Sequence, residues 1–359
     1  MSRGFTSSTY QLSSKLMQTG ESIRQAPLPK TEPKPAMSKI LIANRGEIAC
    51  RIIETCKTLS IPTVAIYSTI DAKSPHVQMA DEAICVGPAS SSDSYLNVDR
   101  VCKAIQDSGA EGVHPGYGFL SENSEFARRV SQMKTPCGKS VKFIGPPEHA
   151  IIDMGDKITS KKIAKEAGVN CIPGYDGFVH SSEEAISVAN QIGFPVMIKA
   201  TSGGGGKGMR ICYNDEQVAE GFVLSTAEAK SFFNDERLFV EKFIERPHHI
   251  EIQLLAGRKA QAEDAEVEND LEILCFPERE CSIQRRNQKI LEESPSTLLL
   301  PETRAEMIRQ VKSLVRKTNY ESAGTVEFLV DEDQNFYFLE MNTRLQVEHP
   351  VTEMVRSGL

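Results

Sequence analysis

Two periods of apolar residues alternate along the chain. "KILIAN" (39–44) is a short unbroken apolar run of the buried-strand kind. "GEIACRIIETCKTLS" places apolar residues at helical spacing, and "PTVAIYS" is a second strand. Strand, helix and strand within about thirty residues predict a βαβ unit, so the sheet starts parallel. "EAICVG", the helical "YLNVDRVCKAIQDSG", "GVHPGYG", the helical "ENSEFARRVSQM" and the strand "VKFIG" continue the alternation. Residues 37–150 are therefore expected to form one open α/β domain.

After Pro146 and Pro147, "HAIIDMGDKITSKKIAKEAG" predicts one long helical stretch. "FPVMIKATSGGGGKGMRICY" then reads as strand, glycine loop and strand. A helical run over 215–233 and the strands "RLFVEKFI" and "HIEIQLL" follow, and "AGTVEFLVDEDQNFYFLEMN" is two strands around a polar turn. Residues 151–359 form the expected second domain. Within it, 260–272 holds six Asp or Glu in thirteen residues and reads as a solvated loop or partly disordered insertion.

With 359 residues the chain is long enough for two domains and a sizeable core. Its net charge of -8 argues against general nucleic-acid binding while leaving room for a local basic pocket that holds phosphates. No apolar run is long enough to span a membrane. Nine cysteines, an odd number without a CxxC pair, point to free thiols in a reducing compartment, not to a disulfide framework or a zinc site. Residues 1–36 carry Arg3, Lys15, many Ser and Thr, no acid in the first twenty positions, and then a proline-rich spacer. That composition resembles a mitochondrial transit peptide and places the protein in the matrix. The other reading is a disordered tail on a cytoplasmic protein, with Met37 an internal start.

The candidate chemistry lies in the second domain. "SGGGGKG" is not a Walker A loop, because Thr201 stands where Gly is needed and Gly208 where Ser or Thr would bind magnesium. "MRICY" after it reads as a strand, so the glycines form a hairpin loop. Its backbone N–H groups, with Lys207, can approach an anion closely, the alternative being a merely flexible turn. In "TVEFLVDEDQNFYFLEMN", a turn centred between Asp333 and Gln334 sets Glu327 opposite Glu340. Facing carboxylates repel, and a divalent cation between them removes the conflict. Asn342 adds an oxygen donor, a set that suits magnesium or manganese. The same alternation continues through Arg344, Gln346 and Glu348, so an extended chain puts all five polar residues on one face. A solvent-facing strand side is the plainer reading. "RECSIQRRNQK" supplies Arg285, Arg286 and Lys289, and Lys157 and Lys199 are candidate phosphate-binding lysines.

Together, "KILIANRGEIACR", "VHPGYGFLSEN", "MGDK", "MIKATSGGGGKGMRI", "HIEIQ", "ERECSIQRRNQK", "GTVEFL" and "FYFLEMNTRLQVEHPVTE" resemble the biotin carboxylase domain of biotin-dependent carboxylases, from about residue 37 to the C-terminus. "GYGFLSEN" with "SIQRRNQK" is most similar to the propionyl-CoA carboxylase α-subunit branch, with the methylcrotonyl-CoA and pyruvate carboxylases as near alternatives. The resemblance implies a Rossmann-like pre-ATP-grasp parallel sheet followed by an ATP-grasp α+β domain. It implies an ATP- and bicarbonate-dependent carboxylation of biotin through carboxyphosphate. Lys157, Lys199, Gly205, Gly206, Lys207, His249, Gln284 and the stretch Glu241, Lys242, Phe243 and Ile244 would contact ATP. Glu327, Glu340 and Asn342 would hold Mg2+ or Mn2+. Lys289, Arg344, Gln346 and Val347 would hold bicarbonate, with Glu348 as base and Arg344 also stabilising the biotin enolate.

The sequence departs from the family in three places. Between Gln253 and Glu280 it is longer, which puts strand pairing around 254–277 in question. Asn287 stands where many relatives have His. The sequence ends with "VEHPVTEMVRSGL", before the C-terminal subdomain with its further arginine, the region that docks a carboxyltransferase β subunit, and the biotin carrier domain that the resemblance implies. The biotin carrier would thus act in trans. An exposed apolar face is expected where the missing part packs. An inactive or regulatory ATP-binding product, or an interaction protein of a carboxylase assembly, are the competing expectations. Homodimers are common in the family.

Overall fold

The structure, a computed structural model, describes residues 37–175, 177–201, 208–233, 235–258 and 271–355. The first thirty-six residues, Gly205, Gly206 and Lys207, and most of the acidic segment lie outside these residues.

The first part is built on five parallel strands in the order β3-β2-β1-β4-β5: β1 Ile40–Ile42, β2 Thr63–Ser68, β3 Glu82–Gly87, β4 Gly112–His114 and β5 Lys142–Phe143. Helices α1 (Gly46–Thr58), α2 (Pro75–Met79), α3 (Val98–Ser108) and α4 (Ser124–Gln132) connect them. The unbroken apolar run of β1 has the expected cause. Ile40 and Ile42 pack on Ile48, Ile52 and Ile53 of α1. Leu41 and Ala43 pack on the other side with Val101 and Ile105 of α3 and Phe126 and Val130 of α4. A sheet buried on both faces has no polar side to alternate with. The order of the strands reverses between β1 and β4, where open α/β sheets commonly bind ligands. Here Asn44 ties the end of β1 to the loop after β4, donating to the carbonyls of Pro115 and Tyr117 at 2.7 Å each. Gly116 between them has φ +63°, and a Cβ there would meet the Asn44 amide at 3.0 Å.

The long helix expected after Pro147 is broken in two, α5 (Glu148–Gly155) and α6 (Lys157–Glu166). Asp156 is the break. Its backbone is extended, and its carboxylate accepts from the N–H groups of Ile158 and Thr159, capping α6. The interruption turns Lys157 into the first residue of a new helix.

Two antiparallel sheets follow. The smaller has the order β7-β6-β8 (β6 Val196–Ala200, β7 Met209–Cys212, β8 Leu238–Lys242), packed with α7 (Ser182–Ile192) and α8 (Asp215–Phe233). The glycine loop does join two paired strands, with Lys199 opposite Met209. The larger has the path β12-β11-β9-β13-β14, with β10 also on β9: β9 His248–Arg258, β10 Leu271–Cys275, β11 Arg279–Arg285, β12 Gln288–Glu293, β13 Ser322–Val330 and β14 Phe336–Asn342. The pairing questioned around 254–277 is regular and antiparallel, Leu271 opposite Arg258 through Cys275 opposite Leu254. Helix α9 (Pro301–Lys317), which the sequence reading passed over, buries Met307, Val311, Leu314 and Val315 against this sheet. Helix α10 (His349–Val355) ends the described chain. All nine cysteines are free thiols. No described helix is long and apolar enough to cross a membrane.

Candidate active site

Glu327 and Glu340 are opposite each other, as the hairpin reading expected, but the route differs. The turn is centred on Asp333, with Asp331 donating to Asn335 at 2.9 Å. A bulge at Leu339 then shifts the register by one residue, because Phe328 pairs with Phe338 and Glu327 with Glu340. On its other side Glu327 pairs with Glu251 of β9, and Glu251 pairs with Arg279 of β11. Four charged residues thus stand level across four adjacent strands. Paired residues point to one face, so three carboxylates crowd together there.

Cations and amides hold this row. Arg279 is fully buried, and its Nε donates to Glu251 at 2.6 Å while its other nitrogens reach Gln253, Thr352 and Gln346. Lys289 contacts three carboxylates, those of Glu251, Glu327 (3.1 Å) and Glu348. Together these raise the pKa of Lys289 above the usual lysine value, against the opposing effect of burial. Glu327 also accepts from Asn342 (2.7 Å) and Gln346 (2.8 Å), and His249 Nε2 lies 2.7 Å from its other oxygen. Burial alone would raise Glu327, but the His249 hydrogen bond and the charges of His249 and Lys289 outweigh it and hold the carboxyl low. Glu340 is the reverse case. Burial and then the charge of Glu327 raise it, with Lys157 opposing. Among the described residues no hydrogen bond or ion pair reaches its carboxylate, although the cavity surrounds it. Glu327, Glu340 and the Asn342 side-chain carbonyl oxygen are hard oxygen donors lining one cavity. They fit a divalent cation of the magnesium or manganese kind.

The polar row beyond Asn342 is not one extended strand. Strand β14 stops at Asn342, and 343–348 is a loop before α10. All five residues nevertheless line the same cavity, because the loop folds back over the sheet. Arg344 donates to Glu122 (2.8 Å) and Asn342 (3.1 Å), and Gln346 is 3 % exposed.

The cavity, about 550 Å³, lies between the small sheet and the large one. It is lined by every described candidate: Lys157, Lys199, Glu241, Lys242, Phe243, Ile244, His249, Gln284, Lys289, Glu327, Glu340, Asn342, Arg344, Gln346, Val347 and Glu348. Met197, Met209, Phe239 and Leu329 give its other end an apolar wall. Two candidates use their side chains locally. The Glu241 carboxylate, 2 % exposed, is shared by Lys199 and Lys161. Lys242 donates to the carbonyls of Gly193 (3.0 Å) and Phe194 (2.7 Å). The hairpin of β11 and β12 aims Gln284 and Lys289, which pair with each other, at the cavity. Its turn has φ 54° at Arg286 and 63° at Asn287, the primed form that suits a two-residue hairpin. Sequence reasoning missed Glu251, Arg279, Lys161 and Glu122. For Glu251, the alternation His249, Glu251, Gln253 in "HIEIQ" was a usable signal.

The chain matches the family models "Carbamoyl-phosphate synthase L chain, ATP binding domain" over residues 156–358 and "Biotin carboxylase, N-terminal domain" over residues 36–151. It is 58% identical over 325 residues to the mitochondrial propionyl-CoA carboxylase alpha chain of Mus musculus, covering 90% of this chain and 42% of that relative. The chain therefore spans less than half the length of that relative. Among solved structures, the biotin carboxylase domain of Hydrogenobacter thermophilus 2-oxoglutarate carboxylase, a dimer with MgADP, ADP and bicarbonate, superposes with a TM-score of 0.78 at 47% identity, covering 89% of this chain and 66% of that one. Campylobacter jejuni biotin carboxylase, in complex with beta-gamma-ATP, gives 0.81 at 41% identity, covering 89% and 68%. A parallel sheet, a two-sheet cleft and the sequence matches agree: the chain belongs to the biotin carboxylase family of ATP-grasp proteins.

Proposed function

We propose that this chain carries out the biotin carboxylase half-reaction, the ATP- and bicarbonate-dependent carboxylation of biotin. The observation that supports it most is the composition of one cavity. Lys157 and Lys199 stand near an apolar wall suited to a purine, the Glu327–Glu340 pair lies in the middle, and Lys289, Arg344 and Glu348 sit at the far end.

In this reading ATP lies with its base on Met197, Met209 and Leu329, against the backbone of 241–244. Lys157, Lys199, His249, Gln284 and the loop holding Gly205, Gly206 and Lys207 meet its phosphates. Glu327, Glu340 and Asn342 would hold Mg2+ or Mn2+, which would neutralise phosphate charge. Bicarbonate sits on Lys289, Arg344, Gln346 and the backbone of Val347. Glu348 takes its proton, a bicarbonate oxygen attacks the γ-phosphorus, and the bond to ADP breaks to leave carboxyphosphate. Carboxyphosphate divides into carbon dioxide and phosphate. A base, the phosphate itself or a protein group, removes the ureido proton of biotin, and the nitrogen takes up the carbon dioxide. The Arg344 guanidinium stabilises the enolate.

The likeness to the propionyl-CoA carboxylase alpha chain supports a place in an acyl-CoA carboxylase of the mitochondrial matrix, with a carboxyltransferase β subunit as partner. The dimer named for the Hydrogenobacter domain supports a homodimer. The test is ATP hydrolysis by the full chain with magnesium, with and without bicarbonate and free biotin. Hydrolysis that needs bicarbonate and rises with biotin is expected. Tight ATP binding without turnover would instead favour a regulatory product.

A further inference from the structure

The loop after β4 turns back at Ser121, which donates its N–H to Gly118 at 3.0 Å, and Asn123 then caps α4 by accepting from Phe126 at 2.8 Å. Glu122 is held between those two fixed points. Its carboxylate crosses from the parallel-sheet part to the far end of the cavity. One oxygen accepts from Arg344 Nε at 2.8 Å, and the other lies 3.3 Å from the N–H of Thr343. The contact spans 222 residues of sequence. A second cavity, about 360 Å³, opens beside it, lined by Glu122, Lys157, Ser160, Glu340, Asn342 and Thr343. Glu122 therefore stands beside the Glu327–Glu340 site, close enough that its charge adds to the rise of Glu340.

Arg344 has a second anchor, the Asn342 carbonyl oxygen at 3.1 Å. That oxygen is also the one a divalent cation at Glu327 and Glu340 would use. Two cations at one amide oxygen repel. A cation held there would weaken the Asn342 bond of Arg344 and leave those to Glu122 and to the Leu345 carbonyl at 3.3 Å, of which Glu122 alone carries charge.

We propose that Glu122 is a positioning residue for Arg344: it keeps the guanidinium aimed at the carboxyl-bearing substrate through cation binding, from a loop outside the ATP-grasp part. This rests on the bicarbonate role given to Arg344 above. Glu122 is 43 % and Arg344 22 % exposed at the side chain, so the pair contributes little to stability. Its effect falls on orientation, where a small misplacement is costly.

The experiment uses the full chain with Glu122→Gln and Glu122→Asp. Glu122→Gln is expected to lower kcat/KM for bicarbonate by about tenfold or more, as loss of a charge-assisted hydrogen bond does. The dissociation constant of MgATP stays within about twofold and the melting temperature within about 2 °C. Glu122→Asp, which keeps the charge on a shorter arm, recovers part of the loss. In parallel, the ¹⁵Nε–¹H resonance of Arg344, assigned by its disappearance in Arg344→Lys, is followed by NMR. It is expected to be protected from solvent exchange in the native chain and exposed in Glu122→Gln. Unchanged bicarbonate kinetics, or an unchanged Nε resonance, would overturn the proposal. If the native chain hydrolyses no ATP, the functional reading fails while the NMR arm still decides the role of Glu122.

Discussion

Glu327 and Glu340 face each other across two antiparallel strands with their carboxyls pushed in opposite directions, Glu327 towards ionisation and Glu340 away from it. The difference lies in their partners. His249, Lys289, Asn342 and Gln346 all contact the Glu327 carboxylate, whereas among the described residues Glu340 has only the more distant charges of Lys157 and His249.

Glu340→Gln should therefore act in two ways. In the absence of ligand it removes like-charge repulsion, and the melting temperature is expected to rise by roughly 2 °C, about 1 kcal/mol for such a pair. With magnesium present, calorimetric ATP affinity should fall by at least about tenfold. A variant whose ATP affinity responds to magnesium as the native chain does would remove Glu340 from the cation site.

Glu348→Gln keeps the size of the side chain and its place beside Lys289 but removes the proton acceptor. Bicarbonate-dependent ATP hydrolysis is expected to drop by about a hundredfold or more, the usual scale of general-base loss. ATP affinity should be unaltered. Undiminished turnover would sink the base assignment.

Arg279 and Glu251 are both fully buried and bonded to each other. Arg279→Met leaves Glu251 with Lys289 alone among the cations, and urea denaturation should show a loss of about 3–5 kcal/mol. Arg279→Met with Glu251→Leu removes both charges and should be less damaging than Arg279→Met alone. Equal losses in the two would mean that the pair is not coupled.

His114, at the end of β4, has its pKa pushed down to about 4 by burial and, secondarily, by His349. Its Nδ1 accepts from the Gly116 N–H at 3.0 Å, so the neutral ring is the folded form. Between about pH 4 and the ordinary histidine value the unfolded chain binds the extra proton, so stability rises with pH through that window and is lost on acidification. The slope from this one group is at most about 1.4 kcal/mol per pH unit. Urea melts from pH 5 to 7 should show that slope flattened in His114→Gln; an identical slope would mean that other groups carry it.

Much of this was readable without coordinates, for local reasons. Two strand-like runs, "TVEFLV" and "FYFLEMN", around one short polar turn set the facing of Glu327 and Glu340. The misplaced turn centre and the unforeseen bulge at Leu339 cancel. Capping explains the broken helix, because an Asp with helical sequence on both sides can cap the second half instead of extending the first. Long-range partners were not readable. Nothing near Glu122 in sequence points to Arg344, and an Arg at 279 reads as surface because arginine is seldom buried without a partner. The partner, Glu251, comes from another strand, and only the fold brings them level.

Lys289, with its three carboxylates, gives the far end of the cavity an unusual kind of vacancy. The lysine is not waiting with an open hand. An anion that reaches it must take the place of a carboxylate already bound, so arrival is a trade of one oxygen for another. The natural one to yield is Glu348, on the loop, because Glu251 and Glu327 are fixed in the sheet. In the proposed reaction, a carboxylate released by the incoming anion would be free beside it to accept its proton, so the act of binding would itself arm the base.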